Sequence, residues 1–323
     1  MAVSPDRPRL VADIGATNAR FALAGADGQP YAERVLAVVD YPDIVAAINT
    51  YLQDVEPRPT QAALAMAMPI IGDQVKMTNY ERWSFSIEAT RRTLGLEKLI
   101  LLNDFTALAL ALPRLKPSEL RQVGGGSAVA KATIGLIGPG TGLGVSGLVW
   151  AGDHWVPLMA EGGHATLSPV TEQEWKIACI LQQRFGHVST ERLISGPGLV
   201  NLYQALAELE GCTPEDLQPP EITERALAES CSLCRQTLEI FCAVLGTAAG
   251  NLAVTLGALG GVYIGGGIVP QLGDFFDQSA FRERFEAKGR YQFYLAAIPT
   301  YVIRADNPAL RGVAAAFDNA NTA

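Results

Sequence analysis

The chain has 323 residues, 49% hydrophobic and 18% charged, with a formal net charge of −8. That apolar content speaks against disorder, and the length exceeds a usual single core, so two domains are expected. The acidic balance, with no run of Lys and Arg, speaks against a nucleic-acid partner, and five cysteines, an odd count, do not make a disulfide framework and fit a reducing compartment.

The opening MAVSPDRPRL has no apolar core, so no secretory signal is expected. From Arg9, RLVADIGATNARFALAG reads as strand, small-residue turn and strand, a hairpin with Asp13 entering the turn. A helix is expected near 41–55 and a strand in QAALAMAMPI. Residues 99–113, LILLNDFTALALALP, run from a buried strand into a buried helix, with Asn103 and Asp104 at the junction. Asn and Asp cap helices, which is one reading of this pair. The other is a base, because strand-to-helix junctions of α/β proteins face the ligand crevice. Both readings stand on the residues alone.

PRLKPSELRQVGGGSA reads as a surface connection near a domain boundary. ATIGLIGPGTGLGVSGLVWAG then repeats the hairpin pattern, with 138–142 as its turn, and setting Thr141 on Thr17 aligns the two without gaps. Next, MAEGGHATLSP places Glu161 and His164 around two glycines, and STERLISGPG places Glu191 ahead of a helix entry. Carboxylates and an imidazole in such polar loops suit the hydroxyls of a neutral polyol.

Helices are expected in TEQEWKIACILQQRF and GLVNLYQALAELEG, and a single long one from about Thr223 into a charge-free stretch, 240–273. That stretch could span a bilayer by length, yet its glycines and the lack of basic flanks favour a buried helix and strand, with no membrane. The CSLC pair, Cys231 and Cys234, falls in the helical pattern and reads as packing. GGVYIGGGIVP puts three glycines at a strand end; their spacing is wrong for a dinucleotide fingerprint and suits close approach to an adenine or ribose, or steric packing alone. The tail NPALRGVAAAFDNANTA is a short helix expected to return to the first domain. Turns of Gly, Ala and Thr let backbone N–H groups meet an anion, so two such hairpins suggest a polyphosphate held between two domains, with Asp13 holding Mg2+ through water.

LVADIGATNARFAL, LLNDFTALALALP, IGPGTGLGVSGL, EGGHATLSP, ERLISGPG and GGVYIGGGIVP, in this order from about residue 9 to 270, resemble the motifs of bacterial glucokinases, ATP-dependent hexose kinases of the actin/hexokinase superfamily. The resemblance implies an α/β fold of two actin/hexokinase-like (ribonuclease H-like) domains flanking a cleft, the small one 1–113 plus 305–323 and the large one 114–304. It implies transfer of the ATP γ-phosphoryl group to the glucose 6-hydroxyl, the first step of glycolysis, by a cytoplasmic homodimer. It makes Asp104 the catalytic base and gives glucose hydroxyls to Asn103, Glu161, His164 and Glu191. Phosphates fall to Asp13, Gly15, Ala16, Thr17 and Asn18 and to Gly140, Thr141 and Gly142, with Mg2+ on Asp13 through water. Gly265, Gly266 and Gly267 flank the adenosine. A Gly142→Val change should then weaken ATP use and leave glucose binding largely intact.

Two departures from the family pattern stand out. MTNYERWSFS, residues 77–86, is one residue longer before Trp83 than the family's Thr-Asn segment, and residues 165–169 replace the cysteine-rich zinc motif of the related repressor/kinase group, so no structural zinc is expected. Competing readings are a kinase for another hexose and a non-catalytic sugar-binding regulator. Such regulators usually carry a DNA-binding domain, for which a first core strand by about Arg9 is expected to leave no room. A filament-forming ATPase would give the polar sugar-loop residues no task.

Overall fold

Alternation along the strands sorts the first sheet into two faces. In the computed structural model, which describes residues 7–77 and 83–319, β1 (Arg9–Ile14) sends Leu10, Ala12 and Ile14 into one hydrophobic cluster and Val11 into another. There follow β2 (Asn18–Ala24), β3 (Pro30–Ala37), α1 (Ile44–Tyr51), β4 (Gln61–Met66), β5 (Gln74–Lys76), β6 (Ser84–Ser86), α2 (Ile87–Thr93), β7 (Lys98–Asn103) and α3 (Asp104–Ala111). The sheet order is β3-β2-β1-β4-β7, with β5 and β6 paired separately. β1, β4 and β7 are parallel, and Ile14, Met66 and Asn103 stand in register, so the three strands end at one level. Ile44 and Ile48 of α1 bury one face of the sheet.

The next elements are β8 (Leu120–Val123), β9 (Ile134–Pro139), β10 (Leu143–Trp150), β11 (Trp155–Met159), α4 (Glu172–Phe185), α5 (Gly196–Glu210), α6 (Pro219–Leu227) and α7 (Ser232–Leu256). After them come β12 (Val262–Ile264), α8 (Ile268–Leu272), α9 (Asp274–Gln278), α10 (Phe281–Glu286), α11 (Gln292–Ala296), β13 (Thr300–Ile303) and α12 (Ala309–Asn319). The second sheet has the order β11-β10-β9-β12-β13-β8. Without β8 it repeats the first: an antiparallel hairpin (β9, β10) whose first strand lies parallel to a later one (β12), itself parallel to the next (β13). The similar plan expected from the two hairpins is therefore realised in the sheets.

By contacts the chain forms two compact units, Met1–Lys116 with Ala151–Met159 and Ala305–Ala323, and Pro117–Trp150 with Ala160–Arg304. The first takes in the segment carrying β11, which the sequence places with the larger domain. In that unit α12 covers the second face of the sheet: Leu310, Val313, Ala314 and Phe317 meet Val11, Ala63, Ala65 and Ala107.

Where the sequence expects one helix from about Thr223, there are two. Glu229 turns left-handed, with φ of 55°, and Cys231 restarts the helix as N-cap of α7, its sulfur accepting from the Cys234 N–H. Among the described residues α7 is the one helix long and apolar enough to cross a membrane, and Leu238, Phe241, Cys242, Leu245 and Ala249 spend that apolar surface on the core of the second unit.

Candidate active site

In the first unit the chemistry gathers at the carboxyl ends of β1 and β7. The hairpin closes with the Gly15 N–H donating to the Asn18 carbonyl at 2.9 Å, which leaves Ala16 and Thr17 as an exposed tip. Asp13 faces Arg20 across the hairpin, the guanidinium 4.0 Å from the carboxylate. Burial pushes the Asp13 carboxyl above its ordinary value, and the Arg20 charge opposes that rise. Among the described residues no three His, Cys, Asp or Glu gather to hold a metal directly. One carboxylate beside a turn of small residues suits an ion bound mainly by ligand oxygens and water.

At the junction the two candidates separate. Asn103 is the cap of α3: its Oδ1 accepts from the N–H groups of Phe105 and Thr106 at 2.9 and 3.2 Å, and its Nδ2 donates to the Met68 carbonyl at 3.4 Å. Asp104 is the first helical residue, half-buried, with Oδ1 accepting from the Phe105 N–H at 2.8 Å. The helix is therefore capped before Asp104 contributes anything.

In the second unit the strand β9 runs through Gly138 and Pro139, so the turn is shorter than the expected 138–142. Pro139 faces Leu143, the Gly140 N–H donates to the Gly142 carbonyl at 2.8 Å, and Thr141 alone forms the exposed tip. The two hairpins thus differ by one residue in register, although their sequences align without gaps. The Gly196 N–H donates to the Gly140 carbonyl at 2.8 Å, tying the turn to the start of α5. Gly265 extends β12 with its N–H on the Ile137 carbonyl at 2.9 Å. Gly266, at φ of 77°, lies so close to Pro139 that a Cβ would come within 2.2 Å of its carbonyl oxygen.

The sugar-loop candidates meet at this same turn. Glu191 sits on a 3-10 turn (Thr190–Arg192); its Oε2 accepts from the Leu143 N–H at 2.7 Å and its Oε1 lies 4.0 Å from His164 Nδ1. Glu161 and His164 bracket a second 3-10 turn (Gly162–His164), with the His164 N–H on the Glu161 carbonyl at 3.1 Å and both side chains exposed. A Cβ on Gly142 would sit 2.6 Å from Glu191 Oε2. A side chain added by Gly142→Val would therefore press on the carboxylate of Glu191, one of the residues the family resemblance gives to the sugar.

The pairing of Arg20 with Asp13 and the bond from Gly196 to Gly140 are not read from the sequence. The cross-strand register of the first hairpin could have given Arg20 as the partner of Asp13; the SGPG helix entry marks Gly196 but not its bond to the 140–142 turn. Residues 78–82, which hold most of the Thr-Asn segment, lie outside the described residues.

A family model described as "Glucokinase" matches residues 10–320. A glucokinase of Aromatoleum aromaticum is 54% identical over 316 residues, 97% of this chain and 95% of that protein. The "Bifunctional protein glk" of Paraburkholderia xenovorans is 51% identical over 96% of this chain, which spans 49% of that protein's length. The crystal structure of a glucokinase from an Antarctic psychrotroph matches with a TM-score of 0.89 at 38% identity, covering 97% of this chain and 99% of that one.

Proposed function

The chain belongs to the glucokinase family, and from that premise we propose how its two clusters divide the reaction. The protein phosphorylates glucose with ATP and Mg2+, giving glucose 6-phosphate and ADP, on the mixed α/β sheets of the actin/hexokinase (ribonuclease H-like) fold. Asp104 takes the proton of the 6-hydroxyl as its oxygen bonds to the γ-phosphorus and the bond from that phosphorus to the ADP oxygen breaks. Asn103 offers the sugar its Nδ2, since its Oδ1 is committed to the cap. Glu161, His164 and Glu191 receive other hydroxyls. Backbone N–H groups at 15–18 and 140–142 meet the phosphates, and glycines 265–267 lie beside the adenosine. Asp13 would hold Mg2+ through water, and the ion would supply neutralisation of the phosphate charge. The protein acts in the cytoplasm as a homodimer, an extension supported by the family resemblance.

The observation that carries the role of Asp104 is the completed cap on Asn103. A carboxylate one residue later is not needed to start the helix, and it stands where parallel strands end.

Polar side chains that each hold a hydroxyl make the site selective. An analogue that leaves one of them unpaired loses about 1–3 kcal/mol per lost partner. We therefore expect kcat/KM for fructose to fall below that for glucose by about tenfold or more. ADP release measured with glucose, mannose, fructose, N-acetylglucosamine and no sugar checks this. Comparable efficiency on fructose and glucose would refute the assignment, and ADP release that needs no sugar would favour a plain ATPase.

A further inference from the structure

We infer that Glu191 is shared between the sugar and nucleotide sites: the same carboxylate that receives a sugar hydroxyl also sets the 140–142 turn, so the two substrates bind interdependently. The inference rests on the sugar role proposed for Glu191 and adds to it a positioning role toward the nucleotide.

The geometry runs through Leu143, the first residue after the turn. Its N–H is directed to the Glu191 carboxylate, at 2.7 Å from Oε2, a shorter contact than an ordinary amide hydrogen bond. Its carbonyl is covered by the sugar loop, because a Cβ on Gly163 would lie 2.1 Å from that oxygen. On the other arm of the turn, the Gly140 carbonyl accepts from Gly196 N–H, five residues beyond Glu191. Segments that carry or adjoin the sugar residues therefore hold the turn on both arms.

Position 142 shows the same linkage from the opposite side. Among the described residues and apart from its chain neighbours, a Cβ there would meet Glu191 alone, with Oε2 at 2.6 Å. Glycine at 142 thus makes room for the carboxylate, in addition to any approach of phosphate. The other oxygen, Oε1, is turned toward His164 and the sugar loop.

The sign of the coupling follows from charge. A carboxylate beside a turn that receives phosphates repels them, and a sugar hydroxyl donating to that carboxylate disperses its charge and fixes its position. Glucose should tighten the nucleotide, and by linkage the nucleotide should tighten glucose by the same factor.

The test is equilibrium binding of glucose and of MgADP, each alone and in the presence of the other, to the parent protein, Glu191→Ala, Glu191→Gln and Gly142→Ala, with thermal midpoints confirming folding. In the parent, glucose is expected to tighten MgADP by about fivefold or more. Without sugar, Glu191→Ala should bind MgADP on the order of tenfold more weakly, having lost the anchor on Leu143. Glu191→Gln keeps an acceptor for Leu143 and removes the charge, so its sugar-free MgADP affinity should equal or exceed the parent's. Gly142→Ala should weaken glucose on the order of tenfold with no nucleotide present, because its methyl displaces the Glu191 carboxylate. A residue that only holds sugar would leave sugar-free MgADP binding unmoved. Parental MgADP affinity in Glu191→Ala, or parental glucose affinity in Gly142→Ala, would overturn the inference; should Glu191→Ala not fold, the Gly142→Ala arm decides alone. Parental glucose affinity in Glu191→Ala is a different failure, and would remove Glu191 from the sugar site altogether.

Discussion

A Gly312→Ala protein is expected to unfold at a lower temperature than the parent and to turn over more slowly. Gly312 lies in α12, at its crossing with α3, where a Cβ would stand 1.7 Å from the Ala107 carbonyl oxygen and 2.9 Å from the Ala111 nitrogen. Those atoms are backbone and cannot swing aside. Helix propensity alone would make alanine better than glycine by about 0.8–1.0 kcal/mol. Overpacking a fitted contact costs about 1–3 kcal/mol and sometimes more, so the contact reverses the sign and a net loss of about 1–2 kcal/mol is expected. Because α3 starts at Asp104, forcing the two helices apart also moves the proposed base, and misplacement by about 1 Å can cost on the order of a hundredfold in rate. Thermal melting and turnover of the same preparation check both effects. A raised midpoint would mean that the helices do not cross this closely.

Apolar runs in 10–14 and 62–66, together with the small-residue turns after Ile14 and Pro139, made the hairpins and the repeated α/β plan legible in the sequence. The details lost were those that local pattern does not encode. Pro139 looks like a turn residue, yet it closes β9 opposite Leu143, and the hairpin closes instead on a bond from the Gly140 N–H, so no donor is needed from the proline. The break between α6 and α7 carries no glycine or proline; it depends on a left-handed Glu229 and a cysteine cap. Asn103 and Asp104 are both good capping residues, and only the hydrogen bonds of Asn103 decide between them. The bond from Leu143 N–H to Glu191 spans 48 positions. Motif reading found both ends and had no means of joining them.

Asp104→Asn is expected to fold as the parent does and to lose most of its turnover. Asn103 caps α3 in either protein, and an amide oxygen at 104 still accepts from the Phe105 N–H. Size and shape barely change, so glucose affinity should move far less than rate. An amide, however, cannot take the proton of the 6-hydroxyl. A positioned general base contributes about 10²- to 10⁴-fold, so turnover should fall by at least about a hundredfold.

The most direct test is therefore steady-state turnover at saturating glucose and MgATP for the parent and Asp104→Asn, with thermal midpoints taken on the same preparations. Matching midpoints with turnover lower by at least about a hundredfold are the expected result for a catalytic base. Matching midpoints with near-parental turnover would contradict it and leave Asp104 a structural residue at the start of α3.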